Sequence, residues 1–569
     1  MTRKAPSAHG VRATLRHFWL KLVSSHTSSP ADSSRSNRPT EPTHRSGFSI
    51  PAGVLGVVLC CLPFYVSIQP PLEDFSQHVL VARIISNYTD RMLRFSDYFT
   101  IEWHVAPTSL FYLLLVGLQK VVGPFWDARI YLTLWVAALW LSVAYLAKVR
   151  GHVDPWLTAL VVMPLGFSWY VYAGFLPFLM TLPLFALAAA VWLSDRQLKA
   201  KISLLWILMF LLFGFHIVGA AAAAAAIVAG TFARVSIERG NLRQLMWACI
   251  AVTPVPLLTG VYLFGRQAPK AKIGYTGLVS QVVDVVKFTC ATLDDVATGI
   301  MLLWLGLLGM VLVCRWRDLI GASSLFCSAL FLICLGIAMP GTLGSLWPAG
   351  PRLLPFAIIL LIASVRWTEL GRASVVASCI ALLTALSLAS VRQVIELDRG
   401  FQDFLSGTAI IQPGKSILPI LVDPRGGSRW IAPYWSLGSA YTVMRGGSNP
   451  YVFADPYIKT GASPLTYRRA IDDRQFAFLY DQTRSAADYK GVAASYDYVL
   501  LWGTSPAIAG VLEGEMVRIH SRGDAVLFAR RELSWDQRGF GWITRASHGV
   551  EPQMTDVAGE LGGHPPIQQ

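Results

Sequence analysis

The sequence predicts an α-helical polytopic membrane protein of about 11–12 spans, with a small C-terminal α/β domain outside the membrane. Three observations predict it. Of 569 residues, 54% are hydrophobic and only 14% charged, where globular chains carry about 25% charged residues. The apolar residues fall in runs long enough to cross a bilayer. After about Ile395 those runs stop, and acids, Gly and Pro become common.

The net charge of +14 is read in such a chain as an orientation signal, not as nucleic-acid binding. Of eight cysteines, seven (Cys60, Cys61, Cys249, Cys314, Cys327, Cys334, Cys379) lie in apolar runs and the eighth is Cys290. No disulfide framework or zinc-like spacing is present. These cysteines read as small apolar packing residues.

Residues 1–47 are rich in Ser, Thr, Pro and Arg, with eight basic residues and two acids. They read as a disordered cytoplasmic tail, too polar for a signal peptide. The membrane domain is expected over 48–392. Its first span, Phe48 to Ile68, follows the basic tail, so the next loop, 69–105, emerges outside. Within that loop Val79 to Ile85 is apolar enough to lie on the membrane surface.

Pro107 to Ala147 holds one crossing, about Ala128 to Ala147, because Lys148 and Arg150 follow it and favour the inside. Thr108 to Val122 is then a surface or re-entrant helix. Trp156 to Tyr172 goes out and Phe175 to Leu193 returns to Arg196, Lys199 and Lys201. Ile202 to Val235 is too long for one span and reads as two shorter helices turning near His216. Leu245 to Phe264, Val296 to Val313, Leu319 to Met339, Leu353 to Val365 and Val375 to Ser390 complete about eleven crossings and one partial helix. The alanine run Ala220 to Ala226 reads as a packing surface.

Residues 393–545 read as a periplasmic α/β domain, and 546–569 as a disordered tail. Ser416 to Val422 and Tyr498 to Trp502 read as strands; Val517 to Ile519 and Ala525 to Arg530 read as a hairpin turning at Arg522-Gly523-Asp524. Gly426-Gly427 and Gly446-Gly447 lack the order of a nucleotide fingerprint.

The tracing gathers a distinctive set at the outer face: Glu73, Asp74, His78, Trp169, Tyr170, Tyr172, His216, Lys270, Lys272, Trp347 and Arg352. Span centres carry almost no charge, which argues against an ion-coupled transporter. Asp74 and His78 share a helix face if Phe75 to Asn87 is helical. Each residue has a plain alternative. Glu73 and Asp74 would cap that helix. His78 would contact a donor, partner a metal or sit solvated. His216 would be a satisfied interfacial histidine, Arg352 would snorkel to headgroups, and Lys270 and Lys272 would be solvated. Asp294 and Asp295 would cap the span that follows. Trp169, Tyr170 and Tyr172 would form an aromatic belt.

The order is a basic tail, a first span, the acidic loop Pro70-Pro71-Leu72-Glu73-Asp74, an apolar segment ending Leu118-Gln119-Lys120-Val121-Val122-Gly123, Asp127-Ala128-Arg129 opening a span, then many spans and an outer domain. It resembles the GT-C superfamily of membrane glycosyltransferases, especially the lipid A aminoarabinose transferases and protein mannosyltransferase relatives. The likeness covers 48–392 in layout and 70–192 in motifs. It implies a sugar donor on a polyprenyl phosphate, a lipid or glycan acceptor, contact with membrane lipids, and transfer at the outer face of a bacterial inner membrane. The acid that this superfamily places after its first span corresponds to Asp74, with Glu73 beside it. The superfamily often shows Asp-Glu; here the order is Glu-Asp, which leaves open which acid is the base and whether a divalent metal is held. Its phosphate-binding cations correspond in role to Arg352, and next to Lys270 or Lys272.

The chemistry agrees. Glycosyl transfer to a hydroxyl or amine needs a base, and a lipid-phosphate leaving group needs cations, for which the Arg fork suits two oxygens. Two other readings are a flippase for a lipid-linked glycan, which requires polar residues along the bundle's middle, and a non-enzymatic envelope assembly protein.

Overall fold

Twelve apolar helices carry the membrane domain of the computed structural model, which describes residues 48–103, 105–237, 241–264, 273–275, 277–343, 346–454, 463–468 and 486–533. Both tails expected to be disordered lie outside the described residues, as do Lys270 and Lys272. Seven of the described helices are long and apolar enough to cross a membrane: Trp126–Val149, Leu176–Leu193, Leu198–Phe215, Ile217–Ile237, Leu242–Phe264, Asp295–Cys314 and the one opening at Arg372. Five shorter apolar helices join them: Ser49–Phe64, Ser109–Val122, Pro155–Phe167, Ser323–Ala338 and Gly350–Ser364. The chain is a multi-pass membrane protein.

The boundaries follow local chemistry. Asp154 accepts from Leu157 N and starts the helix at Pro155, and Asp294 accepts from Val296 N and Ala297 N, the expected cap. The long stretch around His216 does divide there, although into full-length helices of 18 and 21 residues. Ser109–Val122 has 14 residues, about 21 Å of helix, short of a bilayer's roughly 30 Å. Its start is tied to that same turn: Thr108 N donates to Gly214 O at 3.0 Å.

The alanine run packs as expected. Ala220, Ala222, Ala223 and Ala226 are buried, and Ser328 donates to the Ala226 carbonyl at 2.7 Å. At Gly230 a Cβ would meet Ser328 Oγ at 2.5 Å, so that interface requires glycine.

Two expectations change. The helix Phe75–Ser86 forms, but it does not lie on the membrane surface: Phe75 to Ala82 and Ile84 are all buried. It is covered by Ser109–Val122 on one side and by the C-terminal helix Gly438–Arg445 on another. The sequence could not show this, because the covering helix lies some 360 residues away; Ser76 N donates to Ser436 Oγ across |i−j| of 360. Trp169, Tyr170 and Tyr172 are likewise no exposed belt. They are 4%, 1% and 0% exposed, packed into a short turn of helix between two spans.

The final span runs as one helix, Arg372–Leu405, roughly 50 Å long. It carries its end beyond a bilayer, and the boundary expected at 392/393 falls inside it. There Phe401 and Phe404 pack on Tyr434, Tyr441 and Trp502. The C-terminal sheet has four strands, ordered Ile417–Leu421, Tyr498–Trp502, Ala525–Arg530, Met516–Arg522. The first pair is parallel, with Ile417 opposite Tyr498. The last two form the expected antiparallel hairpin, with Arg522 opposite Ala525. A second, two-stranded sheet sets Phe99 opposite Tyr467 and fastens the 69–105 loop to this region.

Candidate active site

The loop that carries the two acids is held at both ends before it reaches them. Arg129, on the span Trp126–Val149, donates to the carbonyls of Phe64 at 3.0 Å, Ser67 at 2.8 Å and Ile68 at 2.8 Å. Ile68 N donates to Asp398 Oδ1 at 2.7 Å. Beyond Pro70 and Pro71 the chain turns, with Leu72 N donating to Pro70 O at 2.8 Å, and the Glu73 N–H donates to Tyr172 O at 2.8 Å.

Asp74 occupies the N-cap position of Phe75–Ser86, yet its side chain makes no capping bond. The capping role weighed for it from sequence is not the one it has. Gly174, at φ +75°, lies against it so closely that a Cβ there would be 2.7 Å from Asp74 N. Both acids are half-buried. Burial pushes the Glu73 carboxyl up to about 7, moderated by the Ala432 backbone and the Arg425 charge. Burial also holds Asp74 well above the usual carboxylate range; Glu73 adds to this and Arg352 opposes it.

Arg352 is buried in a short 3₁₀ turn, Gly350–Leu353. Its Nη1 donates to His216 Nε2 at 2.9 Å and its Nη2 to Trp347 O at 2.8 Å. The guanidinium lies 4.3 Å from the Phe175 ring centre and 5.8 Å from that of Phe178. A guanidinium only donates, so the His216 Nε2 carries a lone pair and the ring is neutral. Asp74 and Arg352 feel each other's charge, but among the described residues no ion pair joins them. Two donors here are unused: Arg352 Nε and the hydroxyl of Tyr170, both buried without a hydrogen-bond partner.

His78 packs among Phe111, Tyr112 and Phe453, with ring centres 5.0 to 5.9 Å away. Its Nδ1 is 3.2 Å from the Tyr112 hydroxyl, and burial lowers it to about 3, against a bond to the Gly174 backbone. It is a neutral ring one helical turn from Asp74. The structure thus brings Glu73, Asp74, His78, His216 and Arg352 to one place. Among the described residues, no three His, Cys, Asp or Glu side chains group as metal ligands.

Sequence reasoning passed over Tyr112 and Lys287, and read Tyr170 only as part of an aromatic belt. Tyr170 and Tyr112 look like any interfacial tyrosines, and no sequence signal separates a belt from a lining. Lys287 lies on the helix Leu278–Cys290, its ammonium 5.4 Å from the Phe288 ring centre and 5.3 Å from that of Trp430. Phe288 also contacts Trp169 and Trp347, so Lys287 belongs to the aromatic cluster that abuts Arg352. The stretch around Trp430 comes from the C-terminal region and lies over the acids: Trp169 Nε1 donates to Trp430 O at 3.3 Å.

The fold has counterparts among solved structures. ArnT from Cupriavidus metallidurans, crystallised with undecaprenyl phosphate, superposes with a TM-score of 0.52 at 10% identity, over 85% of this chain and 98% of that one. Its apo state gives 0.51 at 12% identity with the same coverage. The chain shares the fold of these ArnT structures. No family model and no curated protein sequence matches it. The fold expected from the order of spans and acidic loop is therefore one shared with ArnT over 85% of the chain.

Proposed function

We propose that this protein is a membrane glycosyltransferase that moves a sugar from a polyprenyl-phosphate donor to an envelope acceptor at the outer face of a bacterial inner membrane, with its C-terminal region periplasmic. The observation that carries this reading is the electrostatic coupling of Asp74 to the buried Arg352 in a chain with a GT-C-like fold. The undecaprenyl phosphate held by ArnT supports a polyprenyl carrier. The acceptor in this reading is a lipid or a glycan.

In this reading an acceptor hydroxyl or amine attacks the anomeric carbon. The bond from that carbon to the phosphate oxygen breaks, and the lipid phosphate leaves with the electron pair. Asp74 takes the acceptor's proton. Burial and Glu73 raise its proton affinity, which favours taking that proton, and the Arg352 charge opposes the rise. Arg352 meets the charge growing on the phosphate, with its unused Nε–H and the Tyr170 hydroxyl as further donors. His216 and Trp347 O fix the plane of the guanidinium, and His78 and Gly174 fix the turn that carries Asp74. Lys287 adds positive charge at the rim, a role first assigned to Lys270 and Lys272.

The test is envelope glycan mass spectrometry on three strains: intact, deleted, and Asp74→Asn at equal expression. Loss of the same sugar in the last two supports the reading, and the mass difference names the sugar. Retention of that sugar by Asp74→Asn removes Asp74 from the chemistry.

A further inference from the structure

The helix Ile217–Ile237 begins beside His216 and ends at a second cavity. Arg234 lies 18 residues beyond His216, about 27 Å along the helix axis, so this cavity is on the membrane face opposite Asp74. Its volume is about 240 Å³. Its inner wall is apolar, formed by Phe185, Ala189, Ala226, Ile227 and Leu360. An apolar cavity of about 150 Å³ accepts benzene, so this one has room for part of an acyl chain. Small residues account for the space: Gly230 and Ser328 hold two helices together beside it, leaving no side chain to fill the gap above Ala223 and Ala226.

The mouth is cationic. Lys201 and Arg234 line it, their like charges interact, and Asp195 is the acid that acts on Lys201. Arg196, Lys199 and Arg243 lie in the adjoining segments and are exposed. Lys201 Nζ donates to Trp192 O at 3.3 Å, which holds the ammonium at the rim. Trp192 and Trp247 line the same opening. Cations at headgroup depth above an apolar slot match a lipid with a phosphate head and an apolar tail.

We infer that this cavity binds an anionic glycerophospholipid of the inner leaflet, its phosphate on Lys201 and Arg234 and an acyl chain against Ala226 and Phe185. The site is separate from the sugar-transfer reading and stands or falls without it.

The experiment uses the full chain in lipid nanodiscs with phosphatidylglycerol or phosphatidylcholine bearing a diazirine in the acyl chain, and labelled peptides are mapped by mass spectrometry. The phosphatidylglycerol probe should label residues 185–193 and 223–231 on the order of tenfold above the phosphatidylcholine probe. Unlabelled phosphatidylglycerol should displace it and phosphatidylcholine should not, a comparison made on the unaltered protein. The pair Lys201→Gln and Arg234→Gln should abolish the preference, and Ala226→Leu should block tail labelling while the charges remain. Equal labelling by both probes overturns the inference. So does displacement by a polyprenyl phosphate but not by phosphatidylglycerol, which would assign the cavity to a carrier tail.

Discussion

Arg352 Nη1 donates to His216 Nε2 at 2.9 Å, across 136 residues of sequence. The bond joins the turn between two full-length helices to the start of another apolar helix, and it aims a guanidinium that sits over Phe175. Since Arg352 can only donate, His216 serves as a neutral acceptor. His216→Phe should therefore loosen the guanidinium and raise the KM for a polyprenyl-phosphate sugar about 5–20-fold, with a smaller effect on kcat. His216→Gln, which can offer an oxygen, should recover much of the loss. Steady-state transfer kinetics in detergent check both; equal loss in the two variants would show that the ring shape matters and the acceptor does not.

Asp74 should behave differently from its neighbours. Asp74→Asn keeps size and removes the proton acceptor, so kcat should fall about 100-fold or more while carrier binding is retained. Arg352→Lys keeps a charge but loses the planar fork, and should weaken binding of the polyprenyl phosphate. Calorimetric binding of that phosphate, set beside turnover, separates the two.

Glu73 gives a pH-dependent stability. Its folded value, about 7, lies above its ordinary 4.5, so between those values the folded state holds the extra proton. Stability contributed by that proton is present below about pH 4.5 and lost as pH rises through 7. Glu73→Gln should accordingly raise the unfolding temperature at pH 8, by the equivalent of about 1–3 kcal/mol, and change little at pH 4.5 or below. Thermal unfolding at both pH values measures it. A variant less stable at pH 8 would mean that the Arg425 attraction outweighs burial.

Legibility differed by the range of the interaction. Spans, caps and strands are local, and Asp294, the division at His216 and the hairpin at Arg522-Gly523-Asp524 were all readable from neighbours in sequence. The convergence of Asp74, His216 and Arg352 was expected only because the charge pattern set all three on one face; their actual bonds depend on helix packing. What stayed hidden was burial by distant chain. Val79 to Ile85 has the composition of a surface helix, and the packing of Ser109–Val122 and of the distant Gly438–Arg445 over it makes it core. Tyr170 is likewise the same letter in a belt as beside a guanidinium.

Gly174 offers the sharpest test of positioning. It sits at φ +75° with its backbone against Asp74, and a Cβ would come within 2.7 Å of Asp74 N and 3.1 Å of Asp74 Cα. Neither atom belongs to a flexible side chain, so the loop itself must move. Gly174→Ala should cost about 1–3 kcal/mol of stability from the positive φ and the contact together. Because that loop carries Asp74 but not Arg352, turnover should fall far more than affinity for the polyprenyl phosphate. Gly123, also at positive φ (+80°) but with nothing within 4 Å of its Cβ, is the control: Gly123→Ala pays the backbone strain alone. If both variants lose turnover equally, the loss is general destabilisation; if only Gly174→Ala does, the contact with Asp74 sets the geometry of the base.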